Sequence, residues 1–412
     1  MPGIICLMAM RTSPLFSYLS DVSLIAAFMK KFLSALGTTL SISLALVCAH
    51  TNSYAQTLAP QPQVAAKAWL LLDITSNQIL ASQEADSRVE PASLTKLMTA
   101  YLVFGALQNK VLSLTQTVPV STEAYKMGGS RTFIDPKVPV TVETLIKGMI
   151  VQSGNDATVA LAEAVGGGTE AGFVAMMNRE AQRLGMKNTQ FMNASGMPDA
   201  QHYTTARDLS KLVTRLIQDY PEQYHYYAIK DFTYNKIKQE NRNRLLFIDP
   251  TVDGVKTGHT ESAGYCLIAS SKRGQRRLLS VVLGTTSMDA RAQESLRLLN
   301  YGFQYYDAVK VYDANQVISS PEIWKGKGSA VKIGSNKTIY VSLPKGTAER
   351  VQANLEVRQP LVAPVEAGQA LGTIKFTVDG KVVAEVPATA LEAVPVAGVF
   401  GRAWDTMRLW FR

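Results

Sequence analysis

The chain contains little cysteine, which limits its covalent cross-linking. Only three cysteines occur among 412 residues. Two of them, Cys6 and Cys48, lie in an N-terminal stretch that we predict to be removed, so Cys266 would remain alone without a disulfide partner. The apolar residues beside Cys266 predict a buried strand residue rather than a reactive thiol.

Histidine is also scarce, which narrows the chemistry that the chain can perform. After the N-terminal stretch only His202, His225 and His259 remain, and we expect the first two to be structural. No H-E-x-x-H motif or cysteine cluster is present, so we predict no metal and no cofactor. The chain contains no G-x-S-x-G elbow, the sequence that carries the nucleophile of α/β-hydrolases. It also contains no basic stretch interleaved with aromatic residues, which argues against nucleic acid as a partner.

Long apolar runs are confined to the N-terminus. Lys30 and Lys31 precede an apolar run at 32–49, and Ser53-Tyr54-Ala55 offers small residues for cleavage before residue 56. This pattern predicts a secretory signal peptide, with translation starting at Met29. The run is short for a membrane span, although an uncleaved anchor is the alternative reading. Export without disulfides is compatible with the bacterial periplasm, and the net charge of +9 suits anionic lipids or acidic wall polymers.

Three short motifs stand in one order along the chain. S-x-x-K occurs at 93–96, 329–332 and 342–345, whereas S-x-N occurs once at 153–155 and K-T-G once at 256–258. Only the first S-x-x-K precedes both other motifs. The ordered set is typical of serine acyl-transfer enzymes that penicillin inactivates.

The residue types in these motifs predict the parts of an acyl-transfer site. Pro91 and the apolar spacing that follows predict a helix beginning near Ser93, which places Lys96 one turn later on the same face. A neutral Lys96 could take the proton of Ser93, and burial or a second ammonium such as Lys256 would lower its pKa. Ser153 could relay a proton to a leaving amine. Asn155 could hold a substrate carbonyl or Lys96 itself.

The K-T-G motif predicts a substrate-binding strand. Residues 252–260 read as a turn into an edge strand that could pair with an extended peptide. Lys256 and Thr257 would face a substrate carboxylate, and Gly258 would allow close approach of the backbone. The backbone N–H groups of Ser93 and His259 would form the oxyanion hole.

Four longer stretches extend the pattern beyond the motifs: EPASLTKLM at 90–98, VQSGNDA at 151–157, TTARDL at 204–209 and VDGVKTGHT at 252–260. With them the chain resembles the low-molecular-weight penicillin-binding proteins of the D-alanyl-D-alanine carboxypeptidase family, serine peptidase family S11. The resemblance implies removal of the terminal D-alanine from peptidoglycan pentapeptide stems, and covalent inhibition by β-lactam antibiotics. It implies that Ser93 is acylated, with Lys96 as base and Ser153 as relay. The residues that it places along the substrate are Asn155, Lys256, Thr257, Gly258, His259 and Arg291, with Arg291 binding a carboxylate.

Two other enzymatic functions and one non-catalytic function are alternatives to this interpretation. A β-lactamase shares two of the motifs, but residue 154 is glycine where class A enzymes carry S-D-N, and no equivalent of their deacylating glutamate is evident. A D,D-endopeptidase acting on cross-links stays open. A non-catalytic wall-binding protein on the same scaffold is disfavoured because Ser93, Lys96 and Ser153 are all present.

The resemblance and the pattern together predict the architecture. Residues 1–55 form the extension and leader, and 56–312 form an α/β (α+β) catalytic domain of the penicillin-binding and serine β-lactamase type. We expect its sheet to be antiparallel with about five strands. Short alternating apolar runs predict a β-rich domain at 313–395.

The C-terminal residues predict an amphipathic helix at 396–412. Aromatic residues recur on one side and arginines on the other, a pattern typical of a helix that lies in a membrane interface. We therefore predict peripheral attachment to the membrane surface through 398–412, on the outer face of the cytoplasmic membrane. The alternative is a helix docked on the protein's own core.

Overall fold

The computed structural model describes residues 60–410. The leader, its cleavage site, Met29, Cys6 and Cys48 lie outside the described residues. The strands are β1 (Ala68–Asp73), β2 (Gln78–Gln83), β3 (Thr117–Val118), β4 (Val140–Thr141), β5 (Asp231–Tyr234), β6 (Ile237–Glu240), β7 (Val252–Thr260), β8 (Gly264–Arg273), β9 (Arg276–Thr285), β10 (Tyr306–Tyr312), β11 (Ile333–Gly334), β12 (Ile339–Pro344), β13 (Val351–Val357), β14 (Ala370–Val378) and β15 (Lys381–Ala390). The α-helices are α1 (Lys96–Gln108), α2 (Thr122–Lys126), α3 (Val142–Lys147), α4 (Asn155–Val165), α5 (Glu170–Arg183), α6 (Ala206–Asp219), α7 (Leu245–Ile248), α8 (Met288–Tyr305) and α9 (Val399–Trp410).

A five-stranded antiparallel sheet forms the centre of the catalytic region, as predicted. Its order is β2-β1-β9-β8-β7, so β7 lies at an edge. Every residue of β1 is buried because the sheet is covered on both faces. Leu70 packs into a core shared with α1 and α4, whereas Trp69 and Leu71 pack into a second core shared with α8. Side chains alternate across a strand, which explains how one apolar run serves both cores.

The helix that carries the first motif begins differently from the prediction. A 3-10 turn, Ala92–Thr95, precedes α1, and Ser93 lies inside this turn rather than at the first residue of an α-helix. Ala92 adopts φ +47°, an unusual conformation for a residue other than glycine. The turn nevertheless places Lys96 beside Ser93, as the spacing predicted.

The segment before the second motif also departs from a regular helix. Helix α3 ends at Lys147, and a π-helical turn, Gly148–Gln152, follows it. Ser153 closes this turn in the left-handed region at φ 65°. Such π turns recur at functional sites, and left-handed serines persist only where surrounding contacts hold them.

The β-rich module has its own sheets and core. The strands β11, β15, β14 and β13 form a four-stranded sheet, and β10 pairs with β12. By this pairing β10 joins the β-rich module, although the predicted boundary placed it in the catalytic domain. Polar contacts join the module to the catalytic sheet: Ser342 donates to Asp73 Oδ2 at 2.7 Å, and Gln78 donates to the carbonyl of Val383 at 2.9 Å.

The last described helix, α9, keeps most of its large apolar side chains in solvent. Asp405 accepts a hydrogen bond from the backbone N–H of Lys325 at 2.6 Å, which ties the helix to the β-rich module. On its other side Phe400 is 93% exposed and Trp410 is 87% exposed. Among residues 60–410, the helices are all too short or too polar to cross a membrane.

Candidate active site

The structure brings the first motif together as a hydrogen-bonded pair. The ammonium group of Lys96 donates to Ser93 Oγ at 2.9 Å. Lys96 is 1% exposed, whereas Ser93 is half-buried and lines the cleft. The Ser93 hydroxyl therefore contacts a buried amine that can act as its base, and it is also accessible to a substrate in the cleft.

The surroundings of Lys96 favour its neutral form. Burial and, to a smaller extent, the positive charge of Arg242 lower the pKa of Lys96 to about 7, against the opposing charge of Asp156. Lys256, the cationic neighbour that the sequence predicted, and Lys96 repel each other, and Arg242 is a further cation that the sequence did not indicate. The remaining donor capacity of Lys96 is used on Asn155 Oδ1 at 2.7 Å and on the carbonyl of Ser195 at 2.5 Å.

Asn155 holds the lysine. Its side-chain oxygen accepts from Lys96, and its amide nitrogen donates to the carbonyl of Gly128 at 2.8 Å. Both ends of the side chain are therefore occupied within the protein. Of the two roles that the sequence left open for Asn155, the geometry favours holding Lys96 over holding a substrate carbonyl.

The second and third motifs meet at Ser153. Lys256 donates to Ser153 Oγ at 2.9 Å and is 3% exposed. Burial lowers the pKa of Lys256 well below its usual value, and the charges of Lys96, Arg242 and Arg291 act in the same direction. The site thus contains two serine–lysine pairs, Ser93 with Lys96 and Ser153 with Lys256.

The edge strand β7 forms one side of the cleft. Thr257, Gly258 and His259 line it. A Cβ atom on Gly258 would lie 3.2 Å from both Leu94 Cγ and the carbonyl oxygen of Pro91. The absence of a side chain at Gly258 therefore also allows β7 to lie close to the turn that carries Ser93.

Arg291 and His259 occupy the same end of the cleft. Arg291 is 4% exposed and donates to the carbonyl of Gly258 at 3.2 Å, so it is not a solvated residue on a helix surface. Burial lowers its pKa to about 10, which leaves it protonated at neutral pH. His259 is exposed, and its ring lies 4.0 Å from that of Tyr265.

The cleft has a volume of about 460 Å³, enough for a short peptide segment. Its lining includes groups that the sequence reading did not identify. Arg242 carries no recognisable motif, and Ser195 contributes a backbone carbonyl that no side-chain pattern could reveal. Others among them are Gly129, Ser130, Met197 and Tyr265.

The remaining histidines and the cysteine lie outside the pairs just described. His202 is 2% exposed, its Nε2 lies 3.0 Å from Thr95 Oγ1, and burial lowers its pKa to about 4. His225 is exposed and stacks on Tyr226. Cys266 is buried, and burial raises its pKa to about 11, so its thiol is unreactive at neutral pH.

Metal ligation has no candidate cluster in the part of the chain that the structure describes. No group of three or more histidine, cysteine, aspartate or glutamate side chains lies close enough there to hold an ion.

Comparisons with known proteins agree with this geometry. Residues 55–287 match the family described as D-alanyl-D-alanine carboxypeptidase, peptidase family S11, and residues 306–396 match the C-terminal domain of penicillin-binding protein 5. The chain is 40% identical over 371 residues to D-alanyl-D-alanine carboxypeptidase DacC of Escherichia coli (strain K12), covering 88% of this chain and 92% of that protein.

Solved structures give the same result. Penicillin-binding protein 5 from Haemophilus influenzae superposes with a TM-score of 0.76 at 39% identity, covering 81% of this chain and 98% of that one. Penicillin-binding protein D2 from Listeria monocytogenes in its ampicillin-bound form gives a TM-score of 0.55 at 32% identity, covering 59% of this chain and 99% of that one. The chain therefore belongs to the D-alanyl-D-alanine carboxypeptidase family, the S11 serine peptidases.

Proposed function

We propose that this protein removes the terminal D-alanine from peptidoglycan pentapeptide stems through an acyl-enzyme on Ser93. The observation that carries the proposal is the contact between Ser93 Oγ and Lys96, whose burial lowers its pKa to about 7. An amine that is half neutral near pH 7 can act as a general base at physiological pH. Relatives named as D-alanyl-D-alanine carboxypeptidases supply the substrate class.

Acylation can be written from the groups in the cleft. Neutral Lys96 takes the proton of Ser93, and Ser93 Oγ attacks the carbonyl carbon between the two D-alanine residues. The backbone N–H groups of Ser93 and His259 stabilise the oxyanion. When the C–N bond breaks, Ser153 passes a proton to the departing amine and is reprotonated from its contact with Lys256. Solvent takes the extra proton from Lys96 and returns one to Lys256, which restores both amines. Water then attacks the ester carbonyl while neutral Lys96 takes a proton from that water, and Lys96 passes the proton to Ser93 Oγ as the acyl bond breaks.

The leaving D-alanine carries the carboxylate that distinguishes a carboxypeptidase substrate. Thr257 and Arg291 line the cleft at the end where β7 lies, and the guanidinium group is held by the carbonyl of Gly258. A buried, protonated arginine beside a threonine hydroxyl suits a carboxylate. This arrangement favours a terminal D-alanine over an internal bond.

Arg291→Ala is expected to lower kcat/KM for a peptide ending in D-Ala-D-Ala by about 10- to 100-fold, because a charged hydrogen bond to the substrate is lost. The same variant should lose the preference for a free over an amidated C-terminus. Steady-state kinetics on the two peptides measure this. Arg297→Ala is the matched control, because Arg297 lies on the same helix with a 55% exposed side chain. An equal loss of kcat/KM in both variants would show that Arg291 does not bind the substrate carboxylate.

Release of D-alanine tests the proposed function directly. The mature chain in mild detergent should release one D-alanine per pentapeptide and should hydrolyse penicillin only slowly. Penicillin should accumulate as a stable adduct, because residue 154 is glycine and no deacylating acid has been identified. Cleavage of cross-linked muropeptides without D-alanine release would instead support the endopeptidase alternative, and rapid penicillin turnover would support a weak β-lactamase.

The cellular location is part of the same proposal. The predicted signal peptide would deliver the chain to the periplasm, where its substrate lies. The aromatic side of α9 would then attach it peripherally to the outer face of the cytoplasmic membrane. Support comes from the solvent exposure of Phe400, Trp404 and Trp410, which remains although Asp405 ties the helix to the β-rich module.

Deleting residues 398–412 should move the protein from the membrane pellet to the soluble fraction, because the exposed aromatic side chains are removed with them. Fractionation followed by labelling with fluorescent penicillin measures both location and folding, and labelling should be unchanged. If the truncated chain still pellets with membranes, attachment comes from another segment, such as an uncleaved leader.

A further inference from the structure

One side of the catalytic cleft is a backbone segment that contributes no motif. We call residues 128–134 the wall segment. Gly129 and Ser130 line the cleft directly. The segment is bonded to the second motif twice: the carbonyl of Gly128 accepts from Asn155 Nδ2 at 2.8 Å, and the carbonyl of Ser130 accepts from the backbone N–H of Asn155 at 2.7 Å. The position of Asn155, and through it that of Lys96, therefore depends on the wall segment.

A buried carboxylate holds this segment. Asp156 is fully buried, and its Oδ1 accepts from the N–H groups of Thr132 at 2.8 Å and Ala157 at 2.9 Å. Its Oδ2 accepts from Phe133 at 2.7 Å and Ile134 at 3.2 Å. Three of these four donors belong to the wall segment. A single side chain thus satisfies consecutive backbone donors that would otherwise be buried without partners.

The other surface of the wall segment is also in contact with the protein. Gln239 donates to the carbonyl of Thr132 at 3.2 Å from the buried side of β6. A Cβ atom on Gly154 would lie 2.1 Å from Thr132 Oγ1, so the segment rests directly on the backbone of the second motif. The packing explains why the middle residue of S-x-N is glycine in this chain. It also leaves Asp156 as the group that ties the segment to the start of α4.

We infer that Asp156 is a positioning residue for acylation of Ser93, acting by fixing the wall segment and thereby Asn155 and Lys96. The inference rests on the proposed function, and it adds a residue that neither the motifs nor the acyl-transfer steps require. Asp156 does not touch the reacting atoms. Its effect passes through Asn155, the adjacent residue, whose oxygen accepts from Lys96.

The charge of Asp156 gives this role a second signature. The charged groups that act on Lys96 and Lys256 are Arg242 and Arg291, together with the mutual repulsion of the two lysines, and Asp156 opposes them at Lys96. An anion close to an amine favours the protonated form. Removing it lowers the pKa of Lys96, so the acidic limb of the acylation rate should move to lower pH. Removing a buried carboxylate that does not act on Lys96, such as Asp208, would leave that limb in place.

Asp156→Asn is the sharpest test, because it keeps the shape of the side chain. Each carboxylate oxygen accepts from two backbone N–H groups, so either orientation of the amide turns an NH₂ group toward two donors. We expect amide exchange within the wall segment to become at least about tenfold faster. The rate of acylation by penicillin should fall by about 100-fold, as for a small misplacement of a catalytic group.

Asp208→Asn is the matched control. Asp208 is 2% exposed and accepts from the backbone N–H of Asn188 at 2.8 Å, but it does not line the cleft. It should lower thermal stability without changing wall-segment exchange, the acylation rate or its pH dependence. An Asp156→Asn protein with the acylation rate of the parent, or a loss that Asp208→Asn reproduces, would overturn the inference.

A second variant and a second measurement cover the cases in which Asp156→Asn does not fold or the proposed function fails. If Asp156→Asn does not fold, Gln239→Ala loosens the same segment from its other side, and an unchanged acylation rate in that variant would overturn the inference. If the parent takes up penicillin but releases no D-alanine, the proposed function fails, whereas the role of Asp156 is still decided by the acylation and exchange rates.

Discussion

Ser93→Ala is expected to abolish D-alanine release and penicillin labelling together, with a loss of at least about 10⁴-fold in kcat/KM. The hydroxyl oxygen of Ser93 is the atom that forms the acyl bond in the proposed mechanism, and no neighbouring group can replace it. Among residues 60–410 the Ser93 side chain forms a hydrogen bond to Lys96 alone, so little stability should be lost. Release assays, labelling with fluorescent penicillin and the melting temperature measure the three expectations.

The chain supplies its own control for this variant. Ser329 belongs to another S-x-x-K sequence, at 329–332, but lies exposed in the β-rich module. Ser329→Ala should therefore retain full activity and labelling. Residual labelling of Ser93→Ala at the level of the parent would show that a different residue is acylated.

Lys96→Arg is expected to lower the acylation rate by about 10²- to 10⁴-fold, the usual contribution of a general base. Arginine keeps the positive charge but does not deprotonate in the working range of pH. In the parent the pKa of Lys96 is lowered to about 7, so the neutral, basic form grows as pH rises through 7 and the acylation rate should rise with it. The variant should lose this limb. Stopped-flow acylation by a chromogenic cephalosporin across pH 5–9 measures both effects.

The control again comes from the second S-x-x-K sequence. Lys332 has a 53% exposed side chain and pairs with Glu392, so Lys332→Arg should leave rate and pH profile unchanged. Lys96→Ala tests whether the loss comes from the bulk of arginine. This variant introduces no buried guanidinium group, and its acylation rate should fall as well. A pH limb near 7 that survives in both Lys96 variants would assign the base to another residue.

Much of the catalytic site could be predicted because local geometry determines it. A spacing of three residues on a helical turn brings Lys96 to Ser93 whether the turn is 3-10 or α. Residues 252–260 indicated an edge strand, and the antiparallel sheet of five strands with β7 at its edge is confirmed. The burial of Cys266 followed from its apolar neighbours.

The rest depends on contacts between residues that are distant in sequence. The carbonyl of Ser195 meets Lys96 only because the chain between α5 and α6 folds back over α1, and no residue pattern signals a backbone acceptor. Arg242 reaches the cleft from the segment after β6 and adds its positive charge to that of Lys256 near Lys96. The left-handed conformation of Ser153 follows a π turn that regular helical periodicity could not indicate.

The wall segment illustrates the same limit. Its sequence, with Gly128 and Gly129 followed by Ser130, reads as an ordinary loop. Its importance comes from Asp156, whose carboxylate is bonded to backbone groups more than twenty residues earlier. The sequence VQSGNDA indicates functions for Ser153 and Asn155 but indicates no role for the adjacent Asp156.

The central claim is that Ser93 is the residue acylated, and peptide mapping of the penicillin adduct tests it most directly. The full mature chain is incubated with penicillin, digested with trypsin and analysed by mass spectrometry. The account predicts one adduct per chain, on Ser93 within the peptide that ends at Lys96, and none in Ser93→Ala. An adduct on Ser153, on Ser329 or on any residue that persists in Ser93→Ala would contradict it.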